Sequence, residues 1–186
     1  VNTLVVGYFM IVTLILLYVA INFNLELNFN LTKVILLSLL VVFIFNFFGK
    51  LFLGDSGSYL IAFVMGYLLI NFSNINQPVS PYFVACMLWY PAYENLFSII
   101  RKTTKRNSPT AADNKHLHQL LFTFIKKKLP YSNNSLNTLS GLIINFFNLL
   151  IFLFAATFFN NSKQLIILIL ISIFFYNYLY FYLKRK

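Results

Sequence analysis

Carboxylates are almost missing from this chain: Glu26, Asp55, Glu94 and Asp113 are the only four in 186 residues. Charged residues of either sign reach only 10% of the sequence, which excludes an ordinary soluble surface. Cysteine is nearly absent too. Cys86 stands alone in an apolar stretch, so no disulfide framework exists, and a small core side chain is its expected role. The chain opens on Val1 with no basic region followed by a small-residue cleavage site, so no secretory signal is read, and the natural start is expected to lie upstream.

Apolar and aromatic residues fill the space left by charge, at 60% and 19% of the chain. A hydrocarbon core about 30 Å thick needs roughly 20 apolar residues per helix. Six segments qualify or nearly qualify: Leu4–Ile21, Val34–Phe48, Tyr59–Phe72 (extendable at both ends), Tyr82–Ile100, Leu139–Phe159 and Leu165–Leu183. All should be helical, because a helix satisfies its own backbone polar groups in lipid. The fold class expected is therefore all-α, a polytopic integral membrane protein of about six spans. Residues 1–186 form one membrane domain, interrupted by a long basic loop over 101–137. Gly7, Gly66 and Gly141 are expected to permit close helix approach, and Pro91 to kink or interrupt the fourth segment.

Positive charge is abundant and unevenly placed. Lys50, Arg101, Lys102, Lys105, Arg106, Lys115, Lys126, Lys127, Lys128, Lys184, Arg185 and Lys186 fall on one side of the six-span map, and only Lys33 and Lys163 on the other. Lysine and arginine concentrate in cytoplasmic loops, which makes the crowded side cytoplasmic and puts both chain ends there. Net charge of +10 does not point to nucleic acid, because a nucleic-acid binder needs a soluble basic face and most of this chain is spanning helix. Asp55, Glu94, Asp113, His116 and His118 all map to the cytoplasmic side, and Glu26 alone faces outward.

Two stretches carry chemistry. In GDSGS, residues 54–58, Gly54 and Gly57 allow a tight turn and close backbone approach to a ligand, while Ser56 and Ser58 add hydroxyls just before the third span. A carboxylate at mid-bilayer costs about 2.5–3.5 kcal/mol, so Asp55 belongs at the interface or beside a partner. A helix N-terminus here favours phosphate, and a cation such as Mg²⁺ bridges phosphate to carboxylate. The plainer reading is a turn in which Asp55 caps the third span.

The second stretch follows Arg101. Leu117, Leu120, Leu121 and Phe124 recur at helical spacing, predicting an amphipathic helix on the membrane surface, with Asp113 as its N-cap. On a regular helix His116 and His118 point about 200° apart, so they read as separate hydrogen-bonding groups and not as one metal site. A basic helix binding anionic lipid is the plainer reading. Glu94, just after Pro91, reads equally as a structural partner of Arg101 or Lys102 and as a site residue. Phe52 reads as a lipid- or core-facing ring, or as a platform for a nucleobase.

Together KLFLGDSGSYLIAF and YENLFSIIRKTTKRNSPTAADNKHLHQLL resemble the polyprenyl-phosphate hexosamine-1-phosphate transferases, the family of phospho-N-acetylmuramoyl-pentapeptide transferase. The first is similar to that family's F-x-G-D-x-G-S; the second is similar to its basic run, S-P, then A-D-x-x-H-x-H-H. The resemblance covers the chain as the C-terminal half of such an enzyme. It implies transfer of a sugar-1-phosphate, of N-acetylhexosamine type, from a UDP-sugar to polyprenyl (undecaprenyl) phosphate. The products are polyprenyl-diphospho-sugar and UMP, for cell-wall or surface polysaccharide synthesis at the cell membrane.

By the same resemblance Asp55 is a Mg²⁺ ligand, with Mn²⁺ as the alternative ion, and acts in catalysis with His116 and His118. Phe52 stacks on uracil, and Gly54, Ser58, Arg101 and Lys115 bind substrate. Partners are the lipid phosphate, the UDP-sugar and the membrane; a homodimer stays open. The chain departs from the family pattern at Gln119, where a third ring is usual, and at Glu94, where Asp is usual. The family's earlier Asp-Asp pair and metal loop are not in these residues, so the expectation is no activity without them. Outside this class the alternatives are a cation-coupled transporter working through Glu94 and a non-enzymatic membrane scaffold.

Overall fold

The computed structural model describes residues 3–104 and 115–186. These residues are helical and contain no strand. In chain order the helices are α1 (Leu4–Asn22), α2 (Phe29–Phe47), α3 (Gly54–Ile75), α4 (Pro81–Met87), α5 (Trp89–Thr104), α6 (Leu117–Lys126), α7 (Asn133–Thr157) and α8 (Ser162–Arg185). Among the described residues five helices, α1, α2, α3, α7 and α8, are long and apolar enough to cross a membrane, the mark of an α-helical membrane protein.

The fourth expected span is broken, which is why five such helices appear and not six. Pro91 has no N–H to give the Met87 carbonyl four residues back, and its ring crowds that carbonyl. The helix accordingly stops at Met87 and restarts at Trp89. The orphaned Met87 carbonyl accepts the Tyr8 hydroxyl at 2.8 Å, so α1 supplies from outside the bond that Pro91 removes.

α1 forms the centre and packs on α2, α3 and α7. In its spanning window 61% of residues are buried, against 17% for α2 and 22% for α3 and α8, so the last three present most of their surface outward. α1 is apolar on all sides, the property of a helix surrounded by other helices. Gly7 is what lets α7 come close: a Cβ there would lie 2.3 Å from Asn145 Nδ2. Gly66 does not serve that purpose, since nothing lies within 4 Å of its would-be Cβ. Cys86 is fully buried, as its apolar surroundings predict.

Polar side chains tie the two ends of the bundle. At one end Asn76 bonds the Glu26 backbone in both directions, at 2.8 and 2.9 Å, and Ser80 meets Ser162 at 2.8 Å. At the other, Thr3 bonds Asn46 and Thr138, and Asn145 bonds the Thr3 carbonyl. Lys33 and Lys163 belong to the first end, and the described lysines and arginines of the crowded set to the second.

α6 does not lie with its apolar face on lipid. Leu117, Leu121 and Ile125 are buried, and the helix packs on α7 and α8. The apolar periodicity is real, but the surface it meets is protein.

Candidate functional site

GDSGS is the first turn of α3 and not a loop ahead of it. Leu53 holds the N-cap position and makes no side-chain cap bond, so Asp55 is not the cap; it sits inside the first turn, where the helix dipole favours a negative group. Gly54 enters the helix at φ 68° with open space around its α-carbon. Backbone conformation and not crowding therefore demands glycine there. Ser58 donates its hydroxyl back to the Gly54 carbonyl at 2.8 Å, which leaves lone pairs for a ligand. No hydrogen bond or ion pair engages the Asp55 carboxylate among the described residues. Phe52, 74% exposed, borders a cavity of about 390 Å³ together with Gly54, Asp55, Ser58 and Asn46.

Glu94, on α5, is the most heavily engaged acid among the described residues. Its Oε1 lies 2.9 Å from His116 Nδ1 and accepts the Leu117 N–H at 3.2 Å, while its Oε2 accepts the Tyr176 hydroxyl at 2.7 Å. The partners expected for it, Arg101 and Lys102, lie two turns further along α5; the partners found come from α6 and α8. Because Leu117 opens α6, Glu94 caps that helix from another element and faces the positive end of its dipole.

Asp113, expected to cap α6, lies outside the described residues, and the N-cap position is occupied by His116, extended at ψ 152°. The His116 N–H donates to Gln119 Oε1 at 3.0 Å, the reverse half of a capping box. Gln119 thus fixes where α6 begins. The extended His116 backbone also cancels the expected 200° separation of the rings. His116 and His118 stack, 5.6 Å between centroids and 2° between planes. Burial pushes the His118 imidazole down to about 4, with Glu94 pulling the other way, so that ring is neutral near pH 7.

Arg101 anchors the start of the same segment. Its guanidinium donates to the Lys115 carbonyl, to the Tyr180 hydroxyl and to Ser98 Oγ, and it lies over the Tyr180 ring at 5.5 Å. Glu94 and Arg101 on α5 therefore grip residues 115–117 at two points. Tyr176 and Tyr180, one turn apart on α8, back each grip. Lys115 is exposed, and its carbonyl is what Arg101 uses.

These pieces meet in one cavity of about 400 Å³. Asp55, Ser58, Glu94, Asn95, His116 and His118 form its polar part; Leu4, Val5, Tyr8, Phe9 and Ala62 form an apolar wall running along α1 and α3. Asp55 and the histidine pair thus border a shared space although 61 residues separate Asp55 from His116. Arg101 and Lys115 are not among its lining residues. Sequence reasoning missed Tyr176, Tyr180, Tyr90 and Asn95. The repeat of tyrosines in YNYLYFYL was the only signal for the two on α8, and in a chain with 12 Tyr it reads as an aromatic belt.

Fold and cavity define a class: an α-helical bundle with membrane-length helices and a mainly apolar chamber with a polar part at its positively charged end. No family model, curated protein or solved structure matches the chain.

Proposed function

We propose that this protein works in transferring a sugar-1-phosphate from a UDP-sugar to polyprenyl phosphate, on the cytoplasmic face of the cell membrane. The observation that carries the reading is the shared cavity: Asp55 and the His116–His118 pair line it with an apolar wall beside them. Such a chamber suits a reaction between a lipid-borne phosphate and a water-borne diphosphate. The apolar wall receives the first isoprene units, and the polar part receives phosphates.

Mg²⁺ is commonly held by one or two carboxylates together with substrate phosphates. Asp55, with no partner among the described residues, fits as one such ligand. Glu94 is committed to three donors, so substrate phosphates complete the set around Asp55. When bound, the ion lowers the repulsion between the two phosphates. The chain's own contribution is placement. Glu94 commits Nδ1 of His116 and leaves Nε2 for the cavity, and His118, neutral and stacked beside it, contributes one N–H and one lone pair. Holding both phosphates in one chamber supplies proximity.

The test is lipid-linked product from radiolabelled UDP-N-acetylhexosamine and undecaprenyl phosphate, in nanodiscs containing the full-length protein. Asp55→Asn and His116→Ala should each lose at least about a hundredfold in rate. A wild-type rate in Asp55→Asn would end this reading.

A further inference from the structure

Two helices end together at a corner of the molecule that the cavity does not use. α6 closes on Lys126, Lys127 and Lys128, and α8 on Lys184, Arg185 and Lys186. The fold joins these runs: Lys127 Nζ donates to the Lys186 carbonyl at 2.7 Å across a sequence separation of 59, and the Phe124 and Tyr182 rings meet edge to face at 6.3 Å. All six cationic residues are exposed, and no Asp or Glu side chain among the described residues pairs with any of them. Cations at helix C-termini normally offset the dipole, but each terminus carries only about half a negative charge. Two termini and the Lys186 oxygen on Lys127 therefore offset at most about two of six, and packing α6 on α8 forces the remainder into mutual repulsion unless an anion sits there.

The aromatic residues say which anion. Tyr178, Phe181 and Tyr182 are exposed on the last turns of α8, a helix of membrane-spanning length, and Lys128 Nζ lies 4.4 Å from the Phe124 ring centre. Exposed aromatics at the end of a spanning helix sit at headgroup level, which puts the six cations at the depth of lipid phosphates. We propose that this corner is a binding surface for anionic phospholipid headgroups, a site distinct from the cavity and independent of what reaction the cavity performs.

The experiment uses the lipid-depleted chain in a neutral detergent, with melting temperature followed during titration of short-chain phosphatidylglycerol. Phosphatidylglycerol should raise the melting temperature and phosphatidylcholine should not. Combining Lys127→Gln, Lys128→Gln, Lys184→Gln and Arg185→Gln should move the titration midpoint up by at least about tenfold. A Lys33→Gln, Lys163→Gln control at the opposite end should leave it in place. Combining Lys127→Arg, Lys128→Arg and Lys184→Arg, which keeps the charge, should titrate as wild type. The proposal is overturned if phosphatidylcholine or inorganic phosphate at equal ionic strength reproduces the shift. It is also overturned if the quadruple variant titrates unchanged, or if the charge-keeping variant loses the response.

Discussion

Tyr176 donates its hydroxyl to Glu94 at 2.7 Å, across 82 residues of sequence, and the other oxygen of that carboxylate holds His116 at 2.9 Å. A side chain on the last helix thereby reaches the candidate site through one carboxylate. Tyr176→Phe should remove about 1 kcal/mol of stability. Glu94→Ala, which strips His116, Leu117 and Tyr176 of their common acceptor, should cost several-fold more. Denaturant unfolding in mixed micelles reads both; equal effects would mean that Glu94 does not organise the cluster.

The half-buried His118 carries a pH signature. Its folded value, about 4, lies below the ordinary 6.5. Between those values the unfolded chain binds a proton that the folded chain resists, so stability is full above pH 6.5 and falls as pH drops toward 4. His118→Gln should flatten that part of the melting-temperature profile, and a slope that survives the substitution would assign the effect elsewhere.

At the α4–α5 break a double-mutant cycle separates cause from consequence. Tyr8→Phe leaves the Met87 carbonyl without its donor and should cost about 1–3 kcal/mol. Pro91→Ala restores an N–H that can reach that carbonyl. In the Pro91→Ala background the Tyr8→Phe penalty should shrink by at least half. Full additivity would show that the tyrosine is not replacing the missing helix bond.

The glycines should diverge on alanine substitution. Gly7→Ala meets Asn145 and should destabilise by about 1–3 kcal/mol, while Gly66→Ala meets nothing and should stabilise by about 0.5–1 kcal/mol. Gly54→Ala forces a side chain into left-handed backbone and should cost about 1–2 kcal/mol despite the open space around it. Melting temperatures of the three variants in one detergent decide this ordering.

Short-range physics made much of this protein legible from its residues. Segment length and hydropathy predicted α1 and α8 to within three residues at each end and α2, α3 and α7 to within six, and Pro91 marked the break, because backbone satisfaction in lipid and the missing N–H are local matters. Leu117, Leu121 and Phe124 announced α6 by period alone. What the period could not show is the surface α6 would meet, and it met α7 and α8.

The candidate site divides along the same line. Residue type and spacing picked out Asp55, His116 and His118 one by one, since scarce polar groups in an apolar chain are conspicuous without any coordinates. Only the packed bundle decided that His116 leaves the helix as its N-cap, that its ring stacks on His118, and that Glu94 answers to His116 and Tyr176 instead of Arg101 or Lys102. Those outcomes turn on contacts between helices far apart in sequence. A carboxylate takes the donors that packing brings within 3 Å or so, and no local pattern states which donors those will be.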